Sequence, residues 1–123
     1  MVWLMVVFSG LAALLSVFIW YLEAFSWDKQ ATKVFGHTAK EAQSTKEIAF
    51  NLGFYNLFLG LITAVGLVLF FFVKPAGVAL IGAGLGSMLA ASLLLFFTSP
   101  DKRAAAVKQG FLPLLGLIFL FLV

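Results

Sequence analysis

Asn51-Leu52-Gly53-Phe54-Tyr55-Asn56 opens an apolar run that continues from residue 48 to residue 73. Two asparagines and a tyrosine at the head of such a run are informative, because a polar group left unpaired in hydrocarbon costs several kcal/mol. Positions 51 and 55 are one helical turn apart and share a face, while Asn56 lies about 100° further round. The stretch is expected to form a polar lining around which the other hydrophobic segments pack. That expectation makes the chain a small multi-span membrane protein, and the rest of the sequence is consistent with it.

The chain has 123 residues, 63% of them hydrophobic and 11% charged. Soluble domains carry about 45–50% apolar and about 25% charged residues, so this composition excludes one. Its length suits a single integral membrane domain covering residues 1–123. The chain has no cysteine, which removes disulfides, thiolate nucleophiles and Cys-ligated metal sites. The net charge of +3 does not indicate nucleic acid, because the lysines lie between apolar segments, where membrane topology accounts for them.

Four spans are expected, at residues 2–22, 48–73, 76–98 and 100–123. The first has no Lys or Arg before Lys29, and Trp3 at one end faces Trp20, Tyr21 and Trp27 at the other, as interfacial aromatic belts do. It reads as a retained span and not as a signal peptide. Lys74-Pro75 marks a tight break before span three, since proline suits a first helical turn. In span three Gly82, Gly86 and Ala90 recur every fourth residue, a pattern that lets backbones approach closely within the bundle or along a homodimer seam. Ser99-Pro100-Asp101 reads as the cap, first-turn proline and first-turn acid of span four. Pro113 is expected to kink that helix and free the carbonyl near Gln109. The expected fold is an all-α membrane protein, four transmembrane helices in an up-down bundle.

Between spans one and two the character changes. Lys29, Lys33, Lys40 and Lys46 mix with Glu23, Asp28, Glu41 and Glu47, and Gly36 and His37 stand in the middle. Thr38 with Glu41, and Ser44 with Glu47, each fit a capping box. The first predicts a short interfacial helix in this loop, and the second predicts the start of span two. Loops 23–47 and 99–108 hold seven of the eight Lys/Arg residues, so the positive-inside rule places both in the cytoplasm and both termini outside, in the plasma membrane.

This orientation gathers polar side chains at one end. Glu23 closes span one, Asn51, Tyr55 and Asn56 open span two, and Lys108 and Gln109 lie near the start of span four. They form the candidate ligand-binding set, a cytoplasm-facing vestibule for a small amphiphile, ion or headgroup in which Lys108 would pair with Glu23 across the bundle. The plainer reading is that the same side chains join helices through polar contacts worth about 0.6 kcal/mol each.

Other motifs carry less. His37 and Glu41 are spaced i,i+4, but a metal site needs three or four ligands, and the chain has one His and no Cys. The run Gly82-Ala83-Gly84-Leu85-Gly86 resembles a nucleotide-binding loop only superficially, as it lies inside a membrane span with no strand before it. No catalytic residue set and no cofactor motif is present.

Several blocks of the chain resemble one family. They are 21–27 (Tyr-Leu-Glu-Ala-Phe-Ser-Trp), 33–36 (Lys-Val-Phe-Gly), 45–59 around Asn51 and Asn56, and Gln109-Gly110 followed by Pro113. Together they resemble the small membrane proteins of domain of unknown function family 1304. The resemblance implies a four-helix integral membrane protein. It also marks this chain as a divergent member, because Leu15 and Ser16 stand where the family usually carries a Glu-His pair, and Leu52 where it usually has glutamine.

Three functional readings follow. The first is binding or transport of a small hydrophobic or amphiphilic molecule, with Glu23 supplying charge or proton coupling and with homodimerisation through Gly82, Gly86 and Ala90. The second is a scaffold that docks a partner or anionic lipid through its cytoplasmic loop. The third and least favoured is an enzyme of lipid or isoprenoid metabolism, since general acid–base chemistry wants a pair of positioned titratable groups.

Overall fold

The computed structural model describes residues 1–25 and 46–123. Among them the chain is all-helical: α1 spans Val2–Phe25, α2 Lys46–Phe70, α3 Lys74–Thr98 and α4 Arg103–Leu122, with a short 3-10 turn at Pro100–Lys102 before α4. Four helical segments among the described residues, 23 to 25 residues each when the 3-10 turn is counted with α4, are long and apolar enough to cross a membrane. At 1.5 Å per residue, 24 residues reach about 36 Å, enough for the hydrocarbon layer. The helices form an up-down bundle in which each packs on its neighbours in sequence and α4 closes the ring against α1.

The helix boundaries differ from the apolar runs by a few residues at several ends. Span one continues to Phe25, carrying Glu23 inside the helix. Span two begins at Lys46 and stops at Phe70, three residues before the expected end. At this corner a Cβ on Gly77 would collide with the Phe70 backbone, so the glycine lets α3 start directly against the end of α2. Residues 71–73 make the turn between them, with the Val73 N–H donating to Leu69 O at 2.6 Å. Pro75 occupies the first turn of α3, as its fixed φ and missing N–H favour.

The start of span four differs from its expected form. Ser99 makes no side-chain capping bond. Backbone groups do the work, the Ser99 N–H donating to Leu95 O and the Lys102 N–H to Ser99 O, which folds residues 100–102 into a 3-10 turn before the α-helix begins. Helix α4 continues across Pro113, which is buried in the interior. The expected interfacial helix, both capping-box residues Thr38 and Ser44, His37 and Trp27 lie outside the described residues.

Met5, Ile81 and Leu85 are fully enclosed, and Ala12, Phe70, Met88 and Leu120 complete the same core. Small residues let the backbones meet around it. A Cβ on Gly60 would lie 2.9 Å from Ala13 O, and one on Gly66 would lie 2.8 Å from Ile81 N, so these glycines set the α1–α2 and α2–α3 distances. The larger apolar side chains point outward, among them Leu14, Phe18, Phe58, Val65 and Ile118, as expected where the surrounding solvent is lipid.

Candidate functional site

The inner face of α1 reads Ser9, Ala12, Ser16, Ile19, Glu23, a succession of three- and four-residue steps that places one acid at the end of a small-residue stripe. Gly53 on α2 meets that stripe. A Cβ there would lie 3.1 Å from Glu23 Cβ and 3.2 Å from Trp20 O, so the two helices touch at this level. One turn further along α2, Asn56 points into the seam. Its Nδ2 donates to Glu23 Oε1 at 2.5 Å and also to Leu52 O at 3.2 Å. Glu23 is only 8% exposed, and the amide gives it a partner in a setting where an unpartnered carboxyl would be expensive.

Below this pair lies an internal cavity of about 20 Å³. Ser16, Asn56, Ser92 and Gln109 reach its wall from four different helices. Such a volume admits about one water-sized group. Met88 links the two hydroxyls: Ser16 donates to its sulfur at 3.4 Å and Ser92 to its carbonyl at 3.0 Å. The arrangement can hold one polar group among amide and hydroxyl partners in an otherwise apolar bundle, with the Glu23 carboxyl one hydrogen bond away through Asn56.

The six candidate residues separate in the structure. Glu23 and Asn56 bond directly, and Gln109 joins Asn56 at the cavity. Asn51 is exposed, and its amide turns back to Glu47 O at 3.0 Å. Tyr55 is 65% exposed on the outer side of α2, and Lys108 is exposed on α4. Among the described residues Glu23 therefore takes Asn56, not Lys108, as its partner. Residue type alone does not mark Ser9 or Ser92 as inward, and it assigns Trp20 to an interfacial belt and Ser16 only to a departure from the family pattern. Ser16 and Ser92 are buried, and the Ser9 Oγ and Trp20 Nε1 are buried without a hydrogen-bond partner among the described residues. The signal that finds Ser9 and Ser16 is their seven-residue spacing on α1, one small residue per two turns.

Four membrane-length helices closed around a few polar side chains define a small multi-pass membrane protein. The chain belongs to the family described as protein of unknown function (DUF1304), which matches residues 10–121. No curated protein and no solved structure matches it. Leu15 and Ser16, where the family resemblance implies a Glu-His pair, both line the internal cavity beside Asn56. In this chain those positions present an isobutyl group and a hydroxyl.

Proposed function

We propose that the protein binds a small hydrophobic or amphiphilic molecule, for sequestration or transport, and engages its polar end at the Glu23–Asn56 pair. The observation that carries this reading is a carboxyl buried between two membrane helices with one amide as its hydrogen-bond partner among the described residues. A carboxyl oxygen in that setting attracts a donor or cation, and an acid inside a membrane segment is a functional candidate by default. Gln109, Ser16 and Ser92 supply further polar contacts at the neighbouring cavity, whereas Asn51, Tyr55 and Lys108 are exposed and do not line it.

The proposed setting is the plasma membrane with both termini outside, since the basic residues cluster in loops 23–47 and 99–108. A second copy of the chain is the proposed partner, through the outward face of α3. Among the described residues Gly86 has nothing within 4 Å of an added Cβ and Gly82 has only Leu120, so neither is needed to seat a described neighbour within the bundle. No large apolar side chain is exposed on α3 from 74 to 92, unlike the other three helices. Small residues without an internal use are what a helix–helix contact between copies requires.

Equilibrium binding to the purified protein in neutral detergent tests the ligand reading, with dodecylamine and dodecanol as probes that share a tail and differ in head. The amine should bind more tightly than the alcohol. Asn56→Leu should weaken amine binding about tenfold, the size of one lost charge-assisted hydrogen bond. Equal affinity of parent and Asn56→Leu for both probes would remove the proposal.

A further inference from the structure

A second site lies on the lipid-facing side of the bundle, away from Glu23. Between α3 and α4 runs an open groove of about 290 Å³, close to the lower end of the ~300–1,000 Å³ typical of small-molecule sites. The helices meet at its floor, where a Cβ on Gly110 would lie 2.9 Å from Ser92 Cβ. Phe96, Phe97 and Leu93 on α3 and Val107, Phe111 and Leu114 on α4 stand up as its walls. The one polar side chain in the lining is Ser92, whose hydroxyl is already bonded to Met88 O. The trough thus accepts a hydrocarbon chain and offers nothing to a polar one.

At the end of this trough stands a fixed cation. Arg103 is the first residue of α4 and lies three and four residues before Ala106 and Val107, so it shares the face that lines the groove. Its guanidinium carbon sits 4.8 Å above the Phe96 ring, and its Nε donates to Phe96 O at 3.1 Å. These contacts hold the side chain at the groove mouth. They leave the Nη donors without a hydrogen-bond partner among the described residues. The nearest acid in sequence, Asp101, is paired with Lys102 at 2.9 Å. Among the described residues the α4 N-terminus has no side-chain capping bond, and it adds its own positive end to the same place.

We propose that this groove is a binding site for an anionic glycerophospholipid, with one acyl chain lying between α3 and α4 and the phosphate bridged by the Arg103 Nη donors. The charge decides the class: an acyl-filled trough ending at an anchored guanidinium complements a lipid carrying net negative charge at its phosphate. Arginine's planar fork matches two phosphate oxygens, and basic groups at the ends of membrane helices recognise acidic headgroups in this way. The site is independent of the Glu23–Asn56 reading and stands or falls separately from it.

Native mass spectrometry of the full chain in neutral detergent, titrated with dioleoyl phosphatidylglycerol, dioleoyl phosphatidylcholine, dioleoylglycerol or inorganic phosphate, tests the site. Phosphatidylglycerol should bind as one tight equivalent, with the other three weaker. Arg103→Gln should weaken it about tenfold, as loss of a bidentate charge-assisted contact does, while Lys108→Gln, off the groove face, should change it less than about twofold. Val107→Trp should weaken it too by filling the trough, and this variant keeps the test usable if Arg103→Gln destabilises the bundle. Equal losses from Arg103→Gln and Lys108→Gln would reduce the effect to general surface charge and overturn the proposal. So would Val107→Trp binding at parental affinity, or dioleoylglycerol or phosphatidylcholine matching phosphatidylglycerol.

Discussion

Gly53 and Glu23 face each other across the α1–α2 seam so closely that a Cβ on the glycine would stand 3.1 Å from that of the acid. This approach positions Asn56, three residues later, to reach Glu23 Oε1. Gly53→Leu should therefore force the helices apart, destabilise the bundle by about 1–3 kcal/mol and abolish amine binding. Unfolding in mixed micelles measures the first effect. A Gly53→Leu protein as stable as its parent would show that the seam is loose.

The two asparagines of the opening stretch should behave differently. Asn56→Leu leaves the Glu23 carboxyl buried without its partner and should cost about 1–3 kcal/mol. Asn51→Leu removes only a bond from an exposed side chain to its own helix, so its effect should stay within about 0.5 kcal/mol. The same micelle unfolding assay compares them, and equal costs would contradict the placement of Asn56 as the inward residue.

Much of this architecture is legible in the residues. Length and apolar content announce four spans, and Lys74-Pro75 marks the second turn because proline cannot extend a helix interior but fits its beginning. The inward face of α2 is harder to read. In lipid both sides of a helix are apolar, so polarity does not mark the inside. The shared face of Asn51 and Tyr55 turns out to point outward, where interfacial polar groups meet headgroups and water. The better guide is backbone proximity: Gly53 and Gly60 sit seven residues apart on the buried side, with Thr63 three further on and Asn56 between them. Likewise Ser99 offers a cap by residue type, yet the backbone satisfies that corner through a 3-10 turn. No rule of residue type separates those two solutions.

Protonation should modulate the proposed ligand site through Glu23. The ionised carboxylate attracts a cation and the neutral acid does not, so dodecylamine affinity should fall as pH is lowered through the titration of Glu23. Glu23→Gln retains an oxygen for the Asn56 amide and should keep the fold while flattening that dependence. An unchanged pH profile in Glu23→Gln would assign the dependence to another group.

The outward face of α3 gives a separate expectation for assembly. A Cβ added at Gly86 meets no described atom within 4 Å, so with Gly86→Leu the bundle should fold normally while the dimer fraction falls several-fold in cross-linking or single-molecule photobleaching. Gly10 also has open space around an added Cβ, on α1, and Gly10→Leu serves as the control that should leave association unchanged.

The pairing of Glu23 with Asn56 as a ligand site is tested most directly by a double-mutant cycle on dodecylamine affinity, using Glu23→Gln, Asn56→Leu and the combined variant. Both groups acting on one bound headgroup predicts that the second substitution adds little to the first, with a coupling of about 1 kcal/mol or more. Losses that sum to within about 0.5 kcal/mol, or no loss in either single variant, would show that the ligand does not meet these two residues together.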